Sequence, residues 1–182
     1  MRPLLLVIAI AACSHSKTTV ESTRADGATP VETVMVFTNI SDPPFAGLMN
    51  MGFENQLRAG LAACQVRSEF RQVVEDGGDS MERATASMEA MRTNAALFVK
   101  EAGGKVTTYT DAHGENVRSR GFDVWVELEL LDRRVNKVTW KALVNYRGFK
   151  NGEATMKDGE AFADAVVSRL RSDGMMLGCA GK

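Results

Sequence analysis

The sequence predicts an α+β fold, a single mostly antiparallel or mixed sheet with about three helices packed on one face. Three observations predict it. Phe122, Val124, Val126, Leu128 and Leu130 alternate with mostly polar neighbours, and Val138, Trp140, Ala142, Val144 and Tyr146 repeat the alternation; this is the period-two pattern of an antiparallel pair with one buried face. Phe45, Met49, Phe53, Leu57 and Leu61 recur at every fourth position, and Phe162, Val166 and Leu170 do the same, which is the stripe of an amphipathic helix. The elements run strand, helix, strand, helix, three or four meandering strands, helix, an order that suits one sheet with helices against it.

The chain opens with Arg2, an apolar core from Leu4 to Ile10, and the small-residue stretch Ile10-Ala11-Ala12 directly before Cys13. That is the layout of an export signal, and its apolar run is far short of the roughly 20 residues that span a bilayer. The tetrapeptide ending at Cys13 resembles the lipobox of bacterial lipoproteins. The resemblance implies cleavage before Cys13, acylation of its thiol and amino group, and attachment to the membrane through those acyl chains. Ser14, rather than Asp, after the lipidated residue then implies the outer membrane, facing the periplasm. A secretory signal cut near Ala12 is the other reading. Residues 1–12 are therefore expected to be a signal peptide, 13–30 a lipidated cysteine with a flexible polar tether, and 31–182 one α+β domain. The tether is inferred from composition, since 14–30 holds one large apolar residue and has little to bury.

Thr33 to Ile40 is apolar on both sides at its centre and reads as an interior strand. Asp42, Pro43 and Pro44 stop it and can open the helix that ends near Cys64. Gly47, Gly52 and Gly60 each weaken that helix by roughly 1 kcal/mol against alanine, so close approach to another backbone is the expected compensation. Val66 to Val74 reads as a second, more polar strand. Asp79 and Glu82 start a second helix carrying Met81, Ala84, Met88 and Met91. Ala95 to Lys100 and Lys105 to Asp111 flank Glu101-Ala102-Gly103-Gly104 as a hairpin. The last helix carries Phe162, Ala163, Val166, Val167 and Leu170, with Gly174 as its stop.

The chain has 22 basic and 23 acidic residues, and loss of Arg2 leaves 21 against 23. There is no basic excess for nucleic acid and no basic helix face for an anionic membrane. With Cys13 acylated, Cys64 and Cys179 form an even pair in an oxidising compartment, and a disulfide between them is expected. It would close a loop of more than a hundred residues, worth roughly 4 kcal/mol in the chain-entropy model. Two separate thiols are the alternative.

No nucleophile elbow, phosphate loop, dinucleotide fingerprint or zinc-protease motif is present, so no catalytic residue is assigned and no cofactor is expected. Asp111, His113 and Glu115 lie in one loop, where three ligands in five residues suit a solvated turn better than a metal site. Met49 with Met51, Met88 with Met91, and Met175 with Met176 are the candidate cuprous ligands, and core packing is the competing account of them. Trp125, Glu127 and Glu129 face away from the core beside Asp123, a possible interaction surface.

Late in the chain, Val126, Leu128, Leu130 and Asp132, followed by Val138, Trp140 and Ala142 and a final helix closing at Leu170 to Gly174, resemble a loose group of small bacterial envelope lipoproteins. Related layouts occur in penicillin-binding-protein activators, the curli-secretion lipoprotein and the amino-terminal domain of the Tol–Pal β-propeller protein. The resemblance implies a non-enzymatic accessory or assembly role through contact with an envelope protein. A periplasmic cuprous-ion binder using Met and His ligands, and a carrier of a small ligand or lipid, are the alternatives.

Overall fold

The computed structural model describes residues 17–39, 47–72, 80–109, 119–148 and 154–179. Its strands are β1 (Lys17–Arg24), β2 (Thr33–Asn39), β3 (Arg67–Gln72), β4 (Ala95–Tyr109), β5 (Ser119–Asp132) and β6 (Lys137–Gly148). Its helices are α1 (Leu48–Ala63), α2 (Ser80–Ala90) and α3 (Met156–Ser172), and a short 3₁₀ turn covers Leu177–Cys179. The strands form one sheet in the order β1-β6-β5-β4-β2-β3. β2 runs parallel to β3 and β4, and the remaining pairs are antiparallel. The α+β class with a single mixed sheet and three helices is what the patterns predicted.

The helices do not all share one face. Met49, Phe53, Leu57 and Leu61 of α1 and Phe162, Ala163, Val166 and Leu170 of α3 pack on the face that carries Val34, Val36, Leu97, Val99, Val126, Leu128, Trp140 and Val144. Met88 of α2 instead packs with Met35, Phe37 and Ala96 on the opposite face. The chain steps outward from β2 to β3 through α1, then back past β2 to β4 through α2. Two crossovers of one hand that travel in opposite directions place their helices on opposite faces. This is why the interior strand β2 is apolar on both sides.

Two further expectations are corrected. Lys17–Arg24 is not tether but an edge strand, paired with β6 from Lys17 opposite Arg147 to Arg24 opposite Trp140. Polar composition did not prevent this, because ladder hydrogen bonds are backbone bonds and an edge strand needs only a half-buried side. Thr18, Val20 and Ser22 supply that side. Ala95–Tyr109 is likewise one continuous strand, and the register shift at Glu101/Gly103 is a bulge rather than a hairpin turn. A glycine pair serves a bulge as readily as a turn.

Glycine brings α1 and α3 together, as the weak propensity of α1 implied. A Cβ on Gly159 would lie 1.9 Å from the Met49 carbonyl oxygen, and one on Gly52 would lie 2.1 Å from that of Met156. α3 opens with a capping box in which the Thr155 side chain accepts from the Asp158 N–H and the Asp158 side chain accepts from the Thr155 N–H. Gly174, at φ 67°, follows the helix as expected.

β1 is fastened to this core through Asp173. The Trp140 Nε1–H donates to its carboxylate at 2.7 Å and the Ser22 hydroxyl at 2.5 Å, while Arg169 Nε donates to Ser22 Oγ at 2.6 Å. Burial alone would push the Asp173 carboxyl up, but the Ser22 and Trp140 hydrogen bonds and the Arg169 charge outweigh it and hold it below the ordinary aspartate value. A depressed folded-state value stabilises the fold above the unfolded pKa, about 4, and that stability is lost as pH falls through the folded value. Asp173→Asn is therefore expected to cost about 1 kcal/mol at pH 7. Urea midpoints of the two proteins should converge as pH falls through the depressed folded-state value; a difference that persists once the carboxyl is protonated would assign the effect to packing instead.

Candidate interaction surface

α2 and its contacts cover the β2–β4 half of the outer face. The β5–β6–β1 half has no helix of the described residues packed on it, and the side chains there follow from register. Glu21, Leu143 and Glu127 lie in one row across β1, β6 and β5, and Thr23, Lys141 and Glu129 lie in the next. Thr19, Asn145 and Trp125 form the row on the other side. Glu21, Thr23, Glu127, Lys141 and Leu143 line a shallow groove. Leu143 is 43 % exposed at its centre, Glu127 is exposed, and Trp125 is half-buried beside it.

The carboxylates are of two kinds. Glu129 accepts a hydrogen bond from Lys141, and Lys100 Nζ lies 3.6 Å from its other oxygen. The Lys141 hydrogen bond holds the Glu129 carboxyl below its ordinary value against the opposing effect of burial. Asp123 is paired to Arg147 at 2.5 Å. Glu127 and Glu21 instead stand exposed on either side of Leu143. The groove thus offers an apolar centre between two solvated carboxylates, which fits a partner presenting an apolar side chain flanked by cations.

Of the residues expected at this surface, Trp125, Glu127 and Glu129 share the outer face of β5, but Glu129 is occupied by two lysines. Sequence reasoning missed Leu143, Lys141 and Glu21. Leu143 was legible: it is the large apolar residue out of phase with the Trp140, Ala142, Val144 series. Glu21 was hidden by its assignment to the tether.

Cys64 and Cys179 are joined, with Cα atoms 5.1 Å apart across a sequence separation of 115 residues. The expected methionine pairs are not brought together as ligand sets. Met49 is buried while Met51 is 53 % exposed, and Met88 is buried while Met91 is 43 % exposed. Met175 and Met176 both lie in the main core. Among the described residues no three His, Cys, Asp or Glu side chains converge on a common point, and no helix is long and apolar enough to cross a membrane. Cys13, His15, His113 and its loop neighbours Asp111 and Glu115 lie outside the described residues.

No family model and no curated protein matches the chain. Solved structures do. A variant of the PelC dodecamer from Paraburkholderia phytofirmans aligns over 83 % of this chain and 96 % of its own, at 18 % identity and a TM-score of 0.52. The PelC dodecamer in a second crystal form aligns over 91 % and 99 %, at 15 % identity and a TM-score of 0.52. Lipoprotein GNA1162 from Neisseria meningitidis aligns over 77 % and 98 %, at 16 % identity and a TM-score of 0.47. At these identities the likeness to PelC establishes a shared fold, spanning nearly the whole of that chain.

Proposed function

We propose that the chain is a lipid-anchored lipoprotein of the bacterial envelope, held in the outer membrane through Cys13, that acts as a non-enzymatic accessory or assembly factor. It works by presenting the open half of its sheet to another protein. The observation that carries this is the groove centred on Leu143, an exposed apolar side chain between Glu21 and Glu127 on the half of the outer face that α2 leaves uncovered. With the half-buried Trp125 in the neighbouring row, Leu143 gives this face an apolar centre inside a polar rim, the composition of a contact surface. The lipobox-like stretch before Cys13 supports the envelope setting.

A photo-crosslinker placed at Leu143 in living cells is expected to trap a discrete product, whereas one at Asn55, on the exposed side of α1, is not. Leu143→Arg, which adds a cation where a cationic partner docks, should lower trapping from a neighbouring position roughly tenfold with the melting temperature unchanged. PelC is a dodecamer, so a product twice the mass of the chain would identify the partner as a second copy, and a heavier or lighter one as another protein. Equal trapping from Leu143 and Asn55 would refute the surface.

A further inference from the structure

Asp132 to Lys137 close the β5–β6 hairpin, and they place a valine where turn chemistry asks for none. Asp and Asn favour turns because their side chains bond the nearby backbone and because Asn tolerates positive φ. Here the Arg134 N–H donates to the Asp132 carboxylate at 2.9 Å, and Asn136 takes the left-handed position at φ 48°. Neither role involves Val135, which stands 56 % exposed at the tip. The turn is pinned around it. The Arg134 guanidinium donates to both oxygens of the buried Asp132 carboxylate and, at 2.7 Å, to Thr29 Oγ1, while the Arg133 N–H donates to the Asn94 carbonyl at 2.9 Å.

The end of α2 adds to this knob. Arg133 pairs with Glu89 at 3.0 Å, and its N–H bond to Asn94 brings the intervening Met91 and Arg92, both exposed, beside the turn. Val135 and Met91 are thus apolar side chains among Arg92, Arg133 and Lys137. Asp132 neutralises Arg134 and Glu89 neutralises Arg133, which leaves Arg92 and Lys137 as exposed cations on the knob.

An apolar side chain flanked by cations is what the Leu143 groove accepts. Glu21 and Glu127 each lie one strand spacing, about 5 Å, from Leu143, and Lys137 is two residues from Val135, at most about 7 Å of chain. Knob and groove of one chain cannot meet, because Glu127 and Asp132 are five residues apart on one strand, about 17 Å along a fixed ladder. We infer that the partner at the groove is a second copy of this chain, whose β5–β6 turn docks Val135 against Leu143, with Lys137 and Arg92 facing Glu21 and Glu127. The inference rests on the groove being a contact surface, as proposed above, and names what fills it. A turn already pinned loses little freedom on docking. The contact is head-to-tail: each copy offers one knob and one groove, so pairing leaves one of each free and assembly continues to a closed ring or a filament.

The full chain is produced in cells in two differently tagged forms, with a photo-crosslinker in place of Val135. The expected product has twice the mass of the chain and carries both tags, and its tryptic digest joins the turn to the peptide Ala142–Arg147. A product joining turn to turn would mean a two-fold dimer and would overturn the head-to-tail contact. Glu21→Lys with Glu127→Lys should lower trapping roughly tenfold, as should Arg92→Glu with Lys137→Glu. All four positions are exposed, so melting temperatures should hold. Both pairs of changes in one chain restore the match of charges, and trapping should return to within about threefold of the wild type; trapping that stays low in a chain of unchanged melting temperature would overturn the pairing. A copy with the reversed groove and a copy with the reversed turn, expressed together, keep one working contact and should stop at the dimer, whereas the wild type goes on to larger assemblies. Trapping at the two sites separates the inference from the reading beneath it. If the crosslinker at Leu143 traps a different protein and the one at Val135 does not reach Ala142–Arg147, the second copy fails and the groove stands; if neither site traps a discrete product, both fail.

Discussion

Removing the disulfide through Cys64→Ala with Cys179→Ala lowers the unfolding free energy by about 5 kcal/mol, the largest single effect expected in this protein. The bond closes a loop of 115 residues, and the chain-entropy relation assigns about 5 kcal/mol to a crosslink of that span. Domains of this size are stable by about 5–15 kcal/mol, so the loss is a large part of the whole and corresponds to about 15 °C in melting temperature. The native geometry around the bond survives its removal, because the Gly178 N–H donates to the Cys64 carbonyl at 3.0 Å and the Val31 N–H to the Met175 carbonyl at 2.9 Å. The effect therefore sits mainly in the unfolded chain, and urea titration should show a lower midpoint together with a steeper slope. A midpoint equal to that of the oxidised wild type would refute it.

Gly159→Ala is expected to destabilise by about 3 kcal/mol, against the direction that helix propensity predicts. In an isolated helix the change gains about 1 kcal/mol. Here the new methyl meets the Met49 carbonyl oxygen at 1.9 Å and the Phe53 nitrogen at 2.7 Å. Both are backbone atoms, which cannot turn aside as a flexible side chain would, so α1 and α3 must separate along the Phe53–Phe162 contact, whose ring centroids are 5.2 Å apart. Overpacking of this kind costs several times the propensity gain. Gly104→Ala is the control, since its nearest neighbour atom is 3.6 Å away and the change should be neutral within about 0.5 kcal/mol. Thermal unfolding of the two variants beside the wild type checks both; equal melting temperatures would show that the crossing yields without cost.

What could be read in the sequence was what period and redox pairing encode. The β5–β6 pair, the α1 and α3 stripes, the Gly174 stop and the Cys64–Cys179 bond all follow from residues counted along one strand, one helix or one compartment. The outer face of β5 was legible for the same reason, because alternation assigns each residue a side. The α3 capping box at Thr155 and Asp158 was not read from the sequence, although its two residues stand at the usual spacing. The Leu143 groove was half visible: β6 alone shows Leu143 out of phase, but its flanking carboxylates come from strands 16 and 122 residues away in sequence.

Apart from β1 and the undivided β4, the sequence by itself determined the classes of element, their order and their buried sides, because those depend on the spacing of apolar residues within a segment. Only the tertiary structure decided three things. It placed α2 on the face opposite α1 and α3, since the face of a crossover helix is set by the direction in which the chain moves through the sheet. It made an edge strand of Lys17–Arg24, since backbone hydrogen bonds to β6 and the Ser22–Asp173–Trp140 cluster stabilise a segment whose composition alone reads as tether. It also placed the first laddered residue at Lys17, only four positions after Cys13, since the start of an edge strand is set by its partner β6 and not by its own composition.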